Sequence, residues 1–141
     1  MSKLTLTTRV IFKASSAEVW KGLTDPEVVK QYFFGTILKS DWKEGSPITF
    51  SGEWDGKSYE DKGFIKEIVP GKYVRYSYWS IMAGTEDKPE NYADVSYELN
   101  ENGDITVLTI IQDNIKDEAS KEHSENNWQM MFNGLKKLIE R

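Results

Sequence analysis

The chain has 141 residues, a length that suits one domain, and its hydrophobic fraction of 38% is typical of a folded protein. It has no cysteine, which excludes disulfides, thiolate catalysis and cysteine-based zinc sites. The formal charge of −5 argues against nucleic acid or an anionic membrane as a partner. The sequence has no signal-peptide pattern and no apolar run of membrane-spanning length. We therefore expect one cytoplasmic domain over residues 1–141.

The N-terminal third predicts one strand and two short helices. Apolar and polar residues alternate over residues 4–12, which is the pattern of a half-buried strand. Residues 15–18 read Ser-Ser-Ala-Glu, a capping box that begins a short helix. Asp25 and Pro26 end that helix and begin a second one, with Asp25 as the cap and Pro26 in the first turn. Gly35 is the expected stop of the second helix.

Most of the remaining chain alternates with period two and carries turn signals between the alternating segments. The predicted strands cover residues 48–54, 58–69, 72–80, 93–99 and 104–112. Asp55-Gly56 and Pro70-Gly71 are turn signals between consecutive strands. A polar loop at residues 82–91, with Gly84 and Pro89, is a candidate lid or an ordinary connection.

A long helix is predicted from about residue 117 to the end of the chain. Met130 falls on its polar side and should be exposed. The apolar residues are spaced by three and four, so they form one stripe: Trp128, Met131, Phe132, Leu135, Leu138 and Ile139. The stripe must be buried against the large apolar face of the sheet. The fold class is therefore α+β, with a curved antiparallel sheet of about six to seven strands, two short helices after the first strand and a long C-terminal helix.

Aromatic residues make up 13% of the chain, and most of them have a predicted place between sheet and helix. Buried tyrosines favour a cavity, because their hydroxyl groups need partners, although a filled core remains the alternative. A cavity would have candidate mouth residues Tyr32, Phe33 and Phe34. Its candidate ligand-binding residues are Phe50, Trp54, Tyr76, Tyr78, Tyr97, Trp128, Met131, Phe132 and Leu135.

Catalysis and metal binding have weaker signals. The single histidine, His123, has serines nearby but no evident acid partner or oxyanion hole, and it is expected on the exposed face of the helix. A strand carboxylate that faced the interior could act as a general acid or base. Asp94 and Glu98 are predicted to face outward, and the direction of Glu67 stays open. The other strand acids are Glu53, Glu60 and Asp61. We expect no catalytic residues, no metal and no cofactor, and binding is favoured over enzymatic activity.

Five segments of the chain resemble one known family. Residues 12–26 read FKASSAEVWKGLTDP, and this opening looks like the first signature of the activator of heat-shock-protein-90 ATPase-like family. The later segments agree in order and spacing: WDGK at 54–57, GFIKEIVP at 63–70, VRYSY at 74–78, and Trp128 followed by Leu135 and Leu138. The resemblance covers nearly the whole chain.

This family belongs to the START-like (Bet v 1-like, SRPBCC) superfamily, so the resemblance implies a single START-like domain with a helix-grip fold. It also implies a cavity between sheet and helix. The function favoured by the resemblance is non-enzymatic binding of a hydrophobic or aromatic small molecule, such as a lipid, flavonoid or polyketide. One alternative is a protein-interaction or co-chaperone module with a chaperone partner. A second alternative is a cyclase-type enzyme.

Overall fold

Seven antiparallel strands form one curved sheet in the computed structural model, which describes residues 3–33, 35–54, 56–80 and 85–140, without the side chain of Trp54. The strands are β1 (Leu4–Phe12), β2 (Ile37–Ser40), β3 (Pro47–Trp54), β4 (Lys57–Val69), β5 (Tyr73–Tyr78), β6 (Ala93–Asn102) and β7 (Ile105–Ile115). The helices are α1 (Ser16–Thr24), α2 (Pro26–Tyr32) and α3 (Glu118–Ile139), and Pro89–Asn91 form a short 3₁₀ turn. The predicted α+β architecture is confirmed, and β2 is a strand that the sequence pattern did not predict.

The strands follow the order β1-β7-β6-β5-β4-β3-β2, so the chain leaves β1 for α1 and α2 and returns at the opposite edge of the sheet. It then runs back strand by strand until β7 pairs with β1. Side chains of one parity along each strand face α3. In β1, for example, Leu6, Thr8, Val10 and Phe12 are buried and the residues between them are exposed.

The two short helices begin where their capping residues are placed. The Ser15 hydroxyl accepts a hydrogen bond from the Glu18 backbone N–H (3.2 Å). The Asp25 carboxylate accepts one from the Glu27 N–H (2.9 Å), and Pro26 occupies the first turn of α2. These bonds satisfy N–H groups that have no partner within the helix, and they confirm both predicted helix starts.

The loss of one of these caps has a predictable cost. Ser15→Ala should lower the free energy of unfolding by about 1 kcal/mol, because the Glu18 N–H then loses its side-chain acceptor. Urea denaturation would measure this change. Ser58→Ala, at an exposed position of β4, is the control and should stay within about 0.5 kcal/mol of the parent protein. Equal stabilities of the two variants would contradict the role of the cap.

The core lies between the inner face of the sheet and α3. Met131, Phe132 and Leu135 of α3 are buried, whereas Met130 is 53% exposed, as the helical spacing predicts. The helix is also tied to β1, since the Gln129 amide donates to the Thr8 hydroxyl (2.8 Å). The apolar stripe of α3 therefore closes one side of the space above the sheet.

The outer face of the sheet carries ion pairs. Asp94 accepts from Lys66 (2.7 Å) and from Arg75 (2.7 Å), and Arg75 also reaches Glu67 (3.2 Å). These contacts show that Glu67 faces outward, and they place Asp94 on the predicted side. Glu98 is exposed, also as predicted.

Residues 85–92 are held at the outer face as well. Lys62 pairs with Asp87 (2.5 Å) and lies over the Trp79 ring, while Tyr92 stacks on Trp79 with 6.3 Å between ring centroids. The neighbours of Lys62 and Trp79 along the chain face inward, so Lys62 and Trp79 themselves face outward. The part of the candidate lid that contacts them is therefore anchored on the side of the sheet away from α3. Gly84 lies outside the described residues.

Candidate functional site

A partly open cavity of about 310 Å³ lies between the inner face of the sheet and α3. Its walls combine aromatic and aliphatic side chains with a few polar groups that point into the same space. The lining residues are Phe33, Phe50, Tyr76, Tyr78, Val95, Gln112, Ser124, Asn127, Trp128 and Met131. This make-up is typical of a small-molecule site.

Strand register brings the sheet side of the cavity together. Tyr76 of β5 is opposite Val95 of β6, and Val95 is opposite Gln112 of β7. Residues directly opposite each other in an antiparallel pair share one face of the sheet, so the three side chains form a row under α3. The floor of the cavity thus follows from pairing between segments that are distant in sequence.

Phe50 is the centre of the aromatic wall. Its ring centroid lies 5.6 Å from that of Tyr78, 5.8 Å from that of Tyr76 and 6.0 Å from that of Phe33. The tilted and edge-on orientations are those that aromatic quadrupoles favour. This cluster fixes the wall formed by β3, β5 and the end of α2.

Trp128 closes the cavity from the α3 side. Its ring is nearly parallel to that of Phe132, at 7° with 5.8 Å between centroids. Its indole N–H donates to the Gln112 side-chain oxygen (2.8 Å). The indole is therefore held in one orientation across the cavity. Ser124 and Asn127, on the preceding turn of α3, add polar groups at the solvent-facing end.

The buried tyrosine hydroxyls are paired with one another or with the backbone. Tyr76 and Tyr97 share a hydrogen bond of 2.8 Å, and Tyr32 donates to the Gly22 carbonyl (2.8 Å). Burial raises the pKa of Tyr76, Tyr97 and Tyr32 above the usual tyrosine value, because the phenolate would lose its hydration. These three groups stay protonated at neutral pH and serve as fixed dipoles.

Asp61 of β4 is a carboxylate on the inner face of the sheet. It is opposite Phe50 in the β3–β4 register, and one of its oxygens accepts a hydrogen bond of 2.5 Å from the Tyr78 hydroxyl. Burial, with the Asp61 carboxylate next in importance, raises the pKa of Tyr78. Asp61 was one of six strand acids considered from the sequence, and its direction was not predicted.

The structure brings together six of the twelve predicted site residues: Phe33, Phe50, Tyr76, Tyr78, Trp128 and Met131 line the cavity. Tyr97, Phe132, Leu135 and Tyr32 are buried in the adjoining core and do not line it. Phe34 and the side chain of Trp54 lie outside the described residues.

Four lining residues were not anticipated: Val95, Gln112, Ser124 and Asn127. Ser124 and Asn127 could have been found, because Ser124 stands four positions before Trp128 and Asn127 four positions before Met131 on the same helix. His123 is exposed, as expected, and its Nε2 forms a hydrogen bond of 3.2 Å with the Asn127 side chain.

Within the described ranges, no cluster of three or more histidine or acidic side chains could hold a metal ion. None of the helices described is long and apolar enough to span a membrane.

The chain is similar to known proteins over nearly its whole length. The model of the activator of Hsp90 ATPase homolog 1-like protein family matches residues 13–140. A protein of Cytophaga hutchinsonii, known from its solution structure, is 41% identical with a TM-score of 0.85, and the match covers 98% of this chain and 94% of that one. Among curated proteins, none matches the chain.

Two more distant structures share the fold. CalU16 from Micromonospora echinospora is 24% identical with a TM-score of 0.70, over 94% of this chain and 74% of that one. The Aha1 dimer of Colwellia psychrerythraea is 16% identical with a TM-score of 0.74, over 96% of each chain. The family model, which matches residues 13–140, is compatible with a domain that binds a ligand or a protein. The chain therefore belongs to the family of activator of Hsp90 ATPase homolog 1-like proteins.

Proposed function

We propose that the protein binds a hydrophobic or aromatic small molecule, without transforming it, in the cavity between the sheet and α3. The observation that carries this proposal is the cavity of about 310 Å³ with aromatic walls and converging polar groups. Its volume is close to the lower end of the range for ligand sites. A compact aromatic molecule of flavonoid or polyketide type is therefore a better fit than a long-chain lipid.

Apolar burial supplies a large part of the affinity. At roughly 25 cal/mol per Å², burial of about 300 Å² of apolar ligand surface gains about 7.5 kcal/mol before the entropic cost of association. Micromolar binding corresponds to about 8 kcal/mol, so aromatic stacking and hydrogen bonds with the polar lining groups must supply the remainder. Direct contacts are expected from the lining residues, with Tyr97, Phe132 and Leu135 supporting them from behind.

Filling the cavity should weaken this binding. Met131→Trp adds a large side chain at a lining position of α3, and we expect the affinity for an aromatic ligand to fall at least ~10-fold, as for an overpacked apolar site. Titration of flavonoids and polyketide-like aromatics, followed by the NMR shift of the Trp128 indole N–H, measures the effect. Met130→Trp is the matched control, since its position is exposed on the same helix. Equal loss of affinity in both variants would count against the cavity, as would the absence of any Trp128 shift in the parent protein.

The co-chaperone alternative rests on the family match. It needs an exposed apolar docking surface. The exposed large apolar residues of the described chain include Ile11 on β1 and Phe64 and Val69 on β4, and three strands separate β1 from β4 in the sheet. Stimulation of the ATPase of a heat-shock-protein-90 homologue would test it. Stimulation that survives Met131→Trp would favour this alternative over ligand binding.

The cyclase-type alternative needs an ionisable group that touches the substrate. Asp61 faces inward, but Tyr78 lines the cavity and Asp61 does not. Binding is therefore the function that the geometry supports best.

A further inference from the structure

Asp61 is a buried acid with an unfilled hydrogen-bonding position. The residue is only 9% exposed, and Tyr78 occupies one carboxylate oxygen. The other oxygen, Oδ1, is buried without a hydrogen-bond partner among the residues that the structure describes. Such a group is costly to bury unless something compensates for it.

The nearby cations do not compensate for Asp61. Lys62 is the next residue along β4, but its side chain faces outward and pairs with Asp87. Lys66 and Arg75 both pair with Asp94 on the outer face. Over the described residues, Asp61 takes part in no ion pair, so positive charge at this point of the inner face would have to come from outside the described chain.

Tyr78 links Asp61 to the cavity. Its hydroxyl donates to Asp61 and is also hydrogen-bonded to Ser80, so its proton is not available to a ligand. Phe50, directly across from Asp61 in the strand register, lines the cavity too. Asp61 thus lies one side chain behind the wall, and a ligand group that reaches it must donate a hydrogen bond.

We propose that the ligand carries a protonated amine on an apolar aromatic body, and that the amine pairs with Asp61 beside Tyr78 and Phe50. This inference rests on the proposed binding function and deepens it by naming the ligand class. An ammonium group supplies both the hydrogen-bond donor that Oδ1 lacks and a positively charged partner for the carboxylate. A neutral hydroxyl supplies only the donor. The rings of Phe50 and Tyr78 add π-electron density of the kind that attracts organic cations, and the net charge of −5 favours their approach. The pairing requires one of these two rings to move aside, because Asp61 itself does not line the cavity.

Three probes of nearly equal shape separate the contributions: naphthylmethylamine, naphthylmethanol and ethylnaphthalene. Their affinities are measured at neutral pH from the shift of the Trp128 indole N–H, which is assigned with Trp128→Phe. For the parent protein we expect the amine to bind at least ~10-fold more tightly than the alcohol, as a charge-assisted hydrogen bond allows. In Asp61→Asn this preference should disappear, while ethylnaphthalene should bind as it does to the parent.

Glu60→Gln is the matched control, because it removes one negative charge from the adjacent, exposed position of β4. It should keep the preference for the amine. Asp61→Leu is a second variant that removes the carboxylate and leaves a hydrocarbon of similar size. Equal affinity of amine and alcohol in the parent protein, with ethylnaphthalene still bound, would overturn the amine assignment alone, as would a preference that persists in both Asp61 variants. No shift with any of the three probes would overturn the binding function together with it.

Discussion

Gly63→Ala is expected to destabilise the protein by at least about 3 kcal/mol, a large part of the stability of an ordinary domain. A β-carbon at this position would lie 1.6 Å from the carbonyl oxygen of Ser77 on the neighbouring strand. A backbone atom cannot turn away as a side chain can, so β4 and β5 would have to separate. The separation would strain the two bonds between Lys62 and Trp79 (3.0 and 2.8 Å) that continue the pairing of these strands.

Urea denaturation followed by circular dichroism measures this effect. Gly134→Ala is the control, because it makes the same change in α3, where the nearest atom is the Tyr32 β-carbon at 3.3 Å. The control should stay within about 1 kcal/mol of the parent, since alanine also favours the helix. A parent-like midpoint for Gly63→Ala would show that the two strands are not as close in solution as they are here.

Phe132→Ala should cost about 3–5 kcal/mol. Phe132 is 1% exposed, and its ring centroid lies within 6.0 Å of those of Tyr32, Tyr97 and Trp128. Its removal leaves a void between α2, α3 and the sheet that these rings, each anchored by its own hydrogen bond, cannot fill without giving up that bond. Trp128 would also lose the ring on which it stacks and would be held less rigidly, so the affinity for an aromatic ligand should fall as well.

Differential scanning calorimetry and the same denaturation assay report the stability loss. Met130→Ala, two residues earlier on the exposed side of α3, should change stability by less than about 0.5 kcal/mol. A loss below 1 kcal/mol for Phe132→Ala would mean that the site collapses around the smaller side chain and that the core is softer than its packing indicates.

Sequence patterns predicted the fold correctly where one face of an element is buried and the other is exposed. In β1 and α3 the buried positions repeat with the period of the element, and the caps at Ser15 and Asp25 mark the helix starts. β2 was not predicted because its four residues are too few for a periodic signal, and one of its apolar side chains, Ile37, is 48% exposed.

Two features of the candidate site were harder to predict, namely the direction of Asp61 on β4 and the partner of Trp128. The direction of Asp61 could have been read backward from Ile65, but the inner position between them is Gly63, which has no side chain, while the outer Phe64 is apolar and 53% exposed. A bulge between Ile65 and Glu67 then changes the parity of the strand. The pairing of Gln112 with Trp128 depends on how α3 crosses the sheet, which local sequence does not specify.

The strand order also determines when the polypeptide can fold during synthesis. β1 is made before the other strands, yet its partner in the sheet is β7, and the pair joins Phe12 to Thr106. Contacts of such sequence separation form slowly, and β1 cannot pair with β7 until the residues between them have left the ribosome. The helix that covers the apolar side, Glu118–Ile139, comes later still. The nascent chain thus carries an uncovered hydrophobic surface until this helix has been made, and this is the interval in which the domain is most exposed to aggregation and to chaperones.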